Sequence, residues 1–260
     1  MDKPPNVFIN PSSLMRIWSS IRWRALALAR ACGYQGNPRL FGVEVPLKLV
    51  PSKVILGQLD AGSYEAKEAR FIRSFLPVGA TVLELGASLG VVSSIILGRN
   101  PERLISYEAV GPLGDIARQV VSHNHPGAPW ELVPRAIAAD GADEVSFDWS
   151  PEYTQGGSVA SGPARALIRV PAESLGRAVE RHRLPRSAWL VMDIEGMEWE
   201  IAQHQAAALG HFAGIIVECH DVKDGERVIP HAQVLSRLAL AGFDVAARRG
   251  QVSLLLRRGD

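Results

Sequence analysis

The run Thr81-Val82-Leu83-Glu84-Leu85-Gly86-Ala87-Ser88-Leu89-Gly90 places two glycines, a serine and an acid between an apolar strand-like segment and an apolar helix-like one. A glycine turn at that junction lets a ligand approach the backbone and offers it the free N–H groups of a helix start, so a ligand site is expected there. Three chemistries compete for it. Dinucleotide binding asks for Gly-x-Gly-x-x-Gly, whereas this turn reads Gly86-x-Ser88-x-Gly90, so nicotinamide binding is not expected. Serine hydrolysis asks for Gly-x-Ser-x-Gly between strand and helix, which residues 86–90 satisfy literally, with Asp193, Asp221, His220 and His231 downstream as partners. Against it, this is the first convincing parallel strand, and residues 34–80 supply no clear oxyanion segment. S-adenosylmethionine binding asks for a glycine turn near the cofactor's methionine end and an acid ending the next strand for the ribose hydroxyls. Glu108 ends the segment Leu104–Glu108, and Glu84 stands two residues before Gly86, where a carboxylate can face the cofactor's ammonium or order the loop.

The elements that must position these residues read as an α/β chain. Apolar runs at Thr81–Leu85, Leu104–Glu108, Glu131–Ile137, Trp189–Asp193 and Gly214–Glu218 alternate with helical patterns at Leu89–Leu97, Leu113–Asn124, Glu173–His182, Met197–Leu209 and His231–Ala241. Short continuous apolar runs between helices are the signature of a parallel sheet covered on both faces. Phe243–Ala247 and Val252–Leu256 flank a turn at residues 248–251 and predict a closing hairpin. Pro134 makes the third strand's boundaries uncertain, and residues 138–172 interrupt the rhythm with a strand or two and a loop carrying Trp149, Tyr153 and Gly156-Gly157-Ser158. A helix is predicted over Glu65–Leu76, with Lys67, Arg70 and Arg73 outward. Residues 33–62, rich in Gly and Pro, read as an irregular or short-stranded connector. The chain is therefore divided into an arm and connector, 1–60, and a main domain, 61–260.

Composition sets limits. With 260 residues, 47% hydrophobic and 21% charged, the chain has material for a full core without a disulfide or metal staple. Cys32 and Cys219 carry no zinc spacing and make no disulfide framework. The net charge of +1 hides an asymmetry: residues 1–53 hold eight Lys/Arg against Asp2 and Glu44. The basic part is the arm rather than a face of the main domain, so nucleic acid is not an expected partner. Leu14, Ile17, Trp18, Ile21, Ala25 and Leu28 form one stripe on a helix bearing Arg16, Arg22, Arg24 and Arg30. Packing on the main domain or on a second subunit is its expected use, and peripheral contact with a membrane surface the other. No Lys/Arg-led apolar leader and no apolar run of about 18 residues is visible, which points to a soluble, cytoplasmic protein.

Several segments together resemble the FkbM-type S-adenosylmethionine-dependent methyltransferases over roughly residues 60–257. Gly62-Ser63-Tyr64-Glu65 resembles the family's Gly-x-Tyr-Glu lead-in, Val82–Gly90 its first cofactor loop, and Tyr107-Glu108-Ala109 its Phe-Glu-Pro. Val191-Met192-Asp193-Ile194-Glu195-Gly196-Met197-Glu198 looks like its Lys-x-Asp-Val-Glu-Gly-x-Glu, and Ile216-Val217-Glu218-Cys219-His220 like its Val-Glu-x-His. The chain departs from the pattern at Ser88-Leu89, where Asn-Ile is commoner, at Ala109 for Pro and at Val191 for Lys. The resemblance implies a Rossmann-like class I methyltransferase fold, a mostly parallel seven-stranded sheet with helices on both faces. It also implies O-methylation of a hydroxyl on a sugar, glycolipid or natural product.

On that reading Tyr64, Glu65, Glu84, Gly86, Ala87, Ser88, Gly90, Glu108, Ala109 and Asp193 hold the cofactor, and Ala136 and Ile137, with Asp140 beside them, are placed at the adenine by their position after the third strand. Methyl transfer is an in-line displacement that needs positioning, exclusion of water and a base for the hydroxyl proton. His220 is the expected base and Asp193 the next choice, with Glu195 and Glu218 completing the reaction face. Asp193, Glu218 and His220 also form a candidate Mg²⁺ set, while Glu195 has an alternative use in capping the helix start at Gly196–Glu198. The rival functions are a Ser88 hydrolase and a non-catalytic scaffold that binds a cofactor or a membrane surface.

Overall fold

Five short apolar runs become parallel strands because both faces of each are covered, and the computed structural model, which describes residues 24–149, 166–224 and 227–259, shows how the chain covers them. In chain order the elements are α1 (described over 24–31), β1 (Arg39–Leu40), β2 (Val43–Glu44), α2 (Lys53–Ala61), α3 (Ala66–Phe75), β3 (Thr81–Leu85), α4 (Val91–Leu97), β4 (Arg103–Tyr107) and α5 (Gly111–Asn124). Then follow β5 (Trp130–Val133), β6 (Ala136–Ile137), β7 (Glu144–Trp149), β8 (Ala166–Glu173), α6 (Leu175–Arg181), β9 (Trp189–Met192), α7 (Met197–His204) and α8 (Ala206–Leu209). The chain closes with β10 (Gly214–Glu218), β11 (Val222–Asp224), β12 (Arg227–Ile229), α9 (His231–Leu240), β13 (Phe243–Arg249) and β14 (Val252–Arg257).

The main sheet has the order β13-β14-β10-β9-β3-β4-β5. Its five central and edge strands from β10 to β5 run parallel, and β14 is antiparallel to both β10 and β13. The chain builds outward from β3 through β4 to β5, then returns to β9 on the other side of β3. That reversal puts a topological switch point between the carboxyl ends of β3 and β9, where open α/β sheets bind ligands. This is the Rossmann-like class I methyltransferase fold that the resemblance implies.

Side-chain alternation along β3 explains the two cores. Val82 joins the cluster formed with α3, α4 and α5, while Leu83 and Leu85 join the one formed with α6, α7 and α9. Three expectations are corrected here. Residues 53–61 are a helix, capped by the Ser52 hydroxyl on the Ile55 amide and closed by Gly62 in the left-handed region. Leu40, Val43, Val45, Ile55 and Leu59 share a core cluster with residues of α3 and α4. The single strand expected over 131–137 is two: after Pro134 the chain leaves the main sheet, and β6 pairs with β8 in a small sheet that also holds β7. The expected helix over 197–209 breaks at Gln205, whose buried side chain accepts from the Leu175 amide and donates to the Ala138 carbonyl. The basic stripe up to residue 23, with Tyr153 and Gly156–Ser158, lies outside the described residues. No helix among those described is long and apolar enough to cross a membrane.

Candidate active site

The turn after β3 is built by its neighbours. The amides of Gly86 and Ala87 both donate to the Tyr107 carbonyl at the end of β4, at 3.0 and 3.1 Å, and the Ser88 amide donates to Glu108 Oε2 at 2.7 Å. Glu108 Oε1 accepts from the Val110 amide at 2.8 Å, so this carboxylate ties the first loop to the second. A Cβ at Gly86 would overlap the Asp193 carbonyl oxygen, and one at Gly90 would lie 2.9 Å from the Ala117 Cα of α5. Both glycines therefore serve close backbone packing first. Ser88 has a positive φ of 48°, as a nucleophile elbow would, but its hydroxyl lies 3.1 Å from that of Tyr64. Among the described residues no imidazole hydrogen-bonds Ser88. His231 and Asp221 instead pair with each other at the start of α9, where Asp221 also accepts the His231 amide. The hydrolase partners are thus used elsewhere.

Glu84 does not reach the mouth. It is buried on the α4 face of β3, where Oε2 accepts from the hydroxyls of Ser93, at 2.6 Å, and Ser106, while Oε1 has no partner. Trp130 donates its indole N–H to Ser106 at 2.8 Å and extends this network. Burial pushes the Glu84 carboxyl up to about 7 against the lowering effect of its serine donors. Burial also raises the Glu108 carboxyl, opposed by the Val110 and Ser88 amides.

Across the switch point the chemistry changes character. Asp193 follows β9, Glu195 and Gly196 form the turn with positive φ, Glu218 ends β10 and His220 follows it. His220 Nε2 lies 3.8 Å from Asp193 Oδ1 and 3.5 Å from Glu195 Oε2, and its Nδ1 donates to Glu198 Oε1 at 3.2 Å. Burial alone would lower the His220 pKa, but the hydrogen bond and charge of Glu198, with Asp193 and Glu195 behind them, raise it to about 9. Asp193 is held well above the usual carboxylate range by burial and then by Glu195, and Glu65 likewise by burial and then by Asp193. Glu195 rises for the same reason, with His220 opposing.

Two residues that the sequence reading did not single out organise this side. Glu198, 0% exposed, accepts the Ile194 amide at 3.0 Å and the Gly196 amide at 2.9 Å while holding His220, so it performs the capping considered for Glu195. Its place two residues after Gly196, at the first turn of α7, is the signal that marks such a role. Glu68, three residues after Glu65, faces inward beside Glu218, and Lys67, expected to point outward, donates to Glu218 Oε1 at 2.9 Å. The expected Mg²⁺ trio is divided: ligand-capable atoms of Asp193 group with Glu195 and His220, and separately with Glu68 and Glu218. Ala136 and Ile137 are buried in the small sheet's strand and in core clusters, and Ala109 packs beside Ala136.

No protein-family model matches the chain, and no curated protein matches it. Among solved structures, the magnesium protoporphyrin IX methyltransferase of Synechocystis PCC 6803, with bound SAM, is 11% identical with a TM-score of 0.43, over 76% of this chain and 81% of that one. The ribosomal protein L11 methylase of Lactobacillus delbrueckii subsp. bulgaricus is also 11% identical, with a TM-score of 0.43 over 76% and 80%. An uncharacterized protein of Listeria monocytogenes serotype 4b is 10% identical, with a TM-score of 0.44 over 75% and 68%. The fold of this chain is defined by its own strand order.

Proposed function

We propose that the chain binds S-adenosylmethionine at the switch point and transfers its methyl group to a hydroxyl of a sugar, glycolipid or other natural product. The observation that carries this reading is the charge preference of the mouth. The amides of Gly86, Ala87 and Ser88 are already taken by Tyr107 and Glu108, leaving those three no free donor for a pyrophosphate, while Glu65, Asp193, Glu195 and Glu218 gather around the same opening. A site short of donors and rich in acids suits a sulfonium and an ammonium better than an anion. Glu108, fixed by two amides, keeps further acceptor capacity for the ribose hydroxyls.

In the reaction the acceptor oxygen attacks the methyl carbon in line with the departing sulfur; the O–C bond forms, the C–S pair stays on sulfur, and the hydroxyl proton leaves to a base. We assign that role to His220 Nε2, on the strength of its neighbours Glu195 and Asp193 at 3.5 and 3.8 Å. Its proton at neutral pH is held by carboxylates, and a sulfonium arriving among them competes for the same negative charge and lowers its pKa. Glu198 on Nδ1 keeps the ring oriented.

Calorimetric titration with S-adenosylmethionine and S-adenosylhomocysteine tests the reading. Micromolar binding is expected, weakened in Glu108→Ala by about 1–3 kcal/mol, or roughly 5- to 150-fold. Absence of binding by either ligand at millimolar concentration would remove it. Ser88 should stay unlabelled by a fluorophosphonate.

A further inference from the structure

We propose that Glu68, Asp193 and Glu218 form a binding site for a divalent cation of the size of Ca²⁺ or Mn²⁺. Three separate elements meet there: α3 supplies Glu68, the residue after β9 supplies Asp193, and the last residue of β10 supplies Glu218. One oxygen from each lies within 4.8 Å of the others. An equilateral triangle at that upper limit of 4.8 Å has its centre about 2.8 Å from each corner, and Ca²⁺–oxygen bonds run at about 2.3–2.6 Å, so the three oxygens are close enough to share one ion after small side-chain shifts.

The satisfaction of these carboxylates argues for an occupant. Glu68 is 3% exposed and its Oε1 has no hydrogen-bond partner; Asp193 is partly exposed, but its Oδ1 is buried without a hydrogen bond, with the His220 Nε2 as its counter-charge at 3.8 Å. Buried carboxylate oxygens without donors are rare because each forfeits its hydration. The contrast with the neighbouring set is informative. In the neighbouring set the imidazole is itself a member; in the Glu68 set Lys67 pairs with Glu218 Oε1 and His220 lies 3.8 Å from Asp193, while among the described residues no cation pairs with Glu68. Without a cation, burial and then the facing Glu218 hold a proton on Glu68, whose carboxyl is raised to about 10. An all-carboxylate set with no imidazole or thiolate selects hard oxygen-loving ions over Zn²⁺ or Cu²⁺. The site does not rest on the methyl-transfer reading, since it is defined without the cofactor.

The test is calorimetric titration of the full chain, stripped with a chelator, with CaCl₂ and MnCl₂ at pH 8 and no S-adenosylmethionine present. One equivalent is expected to bind with a Kd of about 1 mM or tighter, with release of a proton seen as a dependence of the heat on buffer ionisation. Glu68→Gln should weaken binding at least about 10-fold, while Glu131→Gln, an exposed acid elsewhere, leaves it unchanged. Should Glu68→Gln fail to fold by circular dichroism, Asp193→Asn replaces it. No saturable heat up to about 10 mM of either ion, or a Glu68→Gln affinity equal to that of the parent, overturns the site. Cofactor binding without metal binding would defeat this proposal alone, and metal binding without cofactor binding would defeat only the methyl-transfer one.

Discussion

The two halves of the mouth differ in how complete they are. On the β3–β4 side the Tyr107 carbonyl takes the Gly86 and Ala87 amides and the Glu108 carboxylate takes those of Ser88 and Val110, so the loop holds its shape before any ligand arrives. On the β9–β10 side, carboxylates from α3, α7 and the ends of two strands crowd around one histidine and one lysine, and Glu68 and Asp193 keep an oxygen without a donor. Burial raises carboxyl pKa values on both sides; on the second, like charges add most, Glu195 acting on Asp193 and Glu218 on Glu68. The lesson is that a preorganised binding edge and a charge-imbalanced reacting edge can share one opening, the second awaiting positive charge.

The sharpest way to break the first half is Gly86→Ala. The new methyl would collide with the Asp193 carbonyl in a backbone of φ 90°, and a loss of about 3–5 kcal/mol in urea unfolding is expected. On the second half, His220→Asn removes the proposed base and should slow single-turnover methyl transfer by about 10²–10⁴-fold while changing cofactor affinity by less than about tenfold. An equal fall in both would make His220 a binding residue.

Glu84 separates interior from mouth. Its folded pKa of about 7 stands above the ordinary value of 4.5, so the native state binds more protons between those values. Stability should therefore fall as pH rises from 4.5 through 7, by up to about 3 kcal/mol. Glu84→Gln should flatten that slope and be more stable than the parent above pH 7, measured by urea midpoints across pH. A slope unchanged in the variant would locate the titration elsewhere. Smallest is Lys67→Gln: its pair with Glu218 is half exposed, so less than about 1 kcal/mol of stability is expected to go. With one cation fewer in the mouth, S-adenosylmethionine should bind no more weakly.

Much of the fold was legible because parallel strands buried on both faces must be continuously apolar. The spans Thr81–Leu85 and Gly214–Glu218 come out as read, and the hairpin and the remaining strands of the main sheet come out within a few residues, apart from the third. The helix over 53–61 was legible in principle from Ser52, Gly62 and the Ile55/Leu59 spacing, yet glycine and proline nearby masked it. Of the expected site, Ser88, Glu108, Asp193, Glu195, Glu218 and His220 stand at the ends of β3, β4, β9 and β10. Glu84 turned inward because it shares a face with Val82, which a strand's period of two already required.

The amino-acid sequence by itself determined the alternation of strand and helix, the glycine turn and the acids at strand ends, since these are local matters of hydrophobic period, backbone freedom and position in an element. Only the tertiary structure decided which acids meet. The chain's return from β5 to β9 brings Asp193 against Gly86, and the packing of α3 on the sheet sets Glu68 beside Glu218, 150 residues away along the chain. Charge, burial and pairing are properties of those encounters, and they arise from long-range packing that no local spacing encodes.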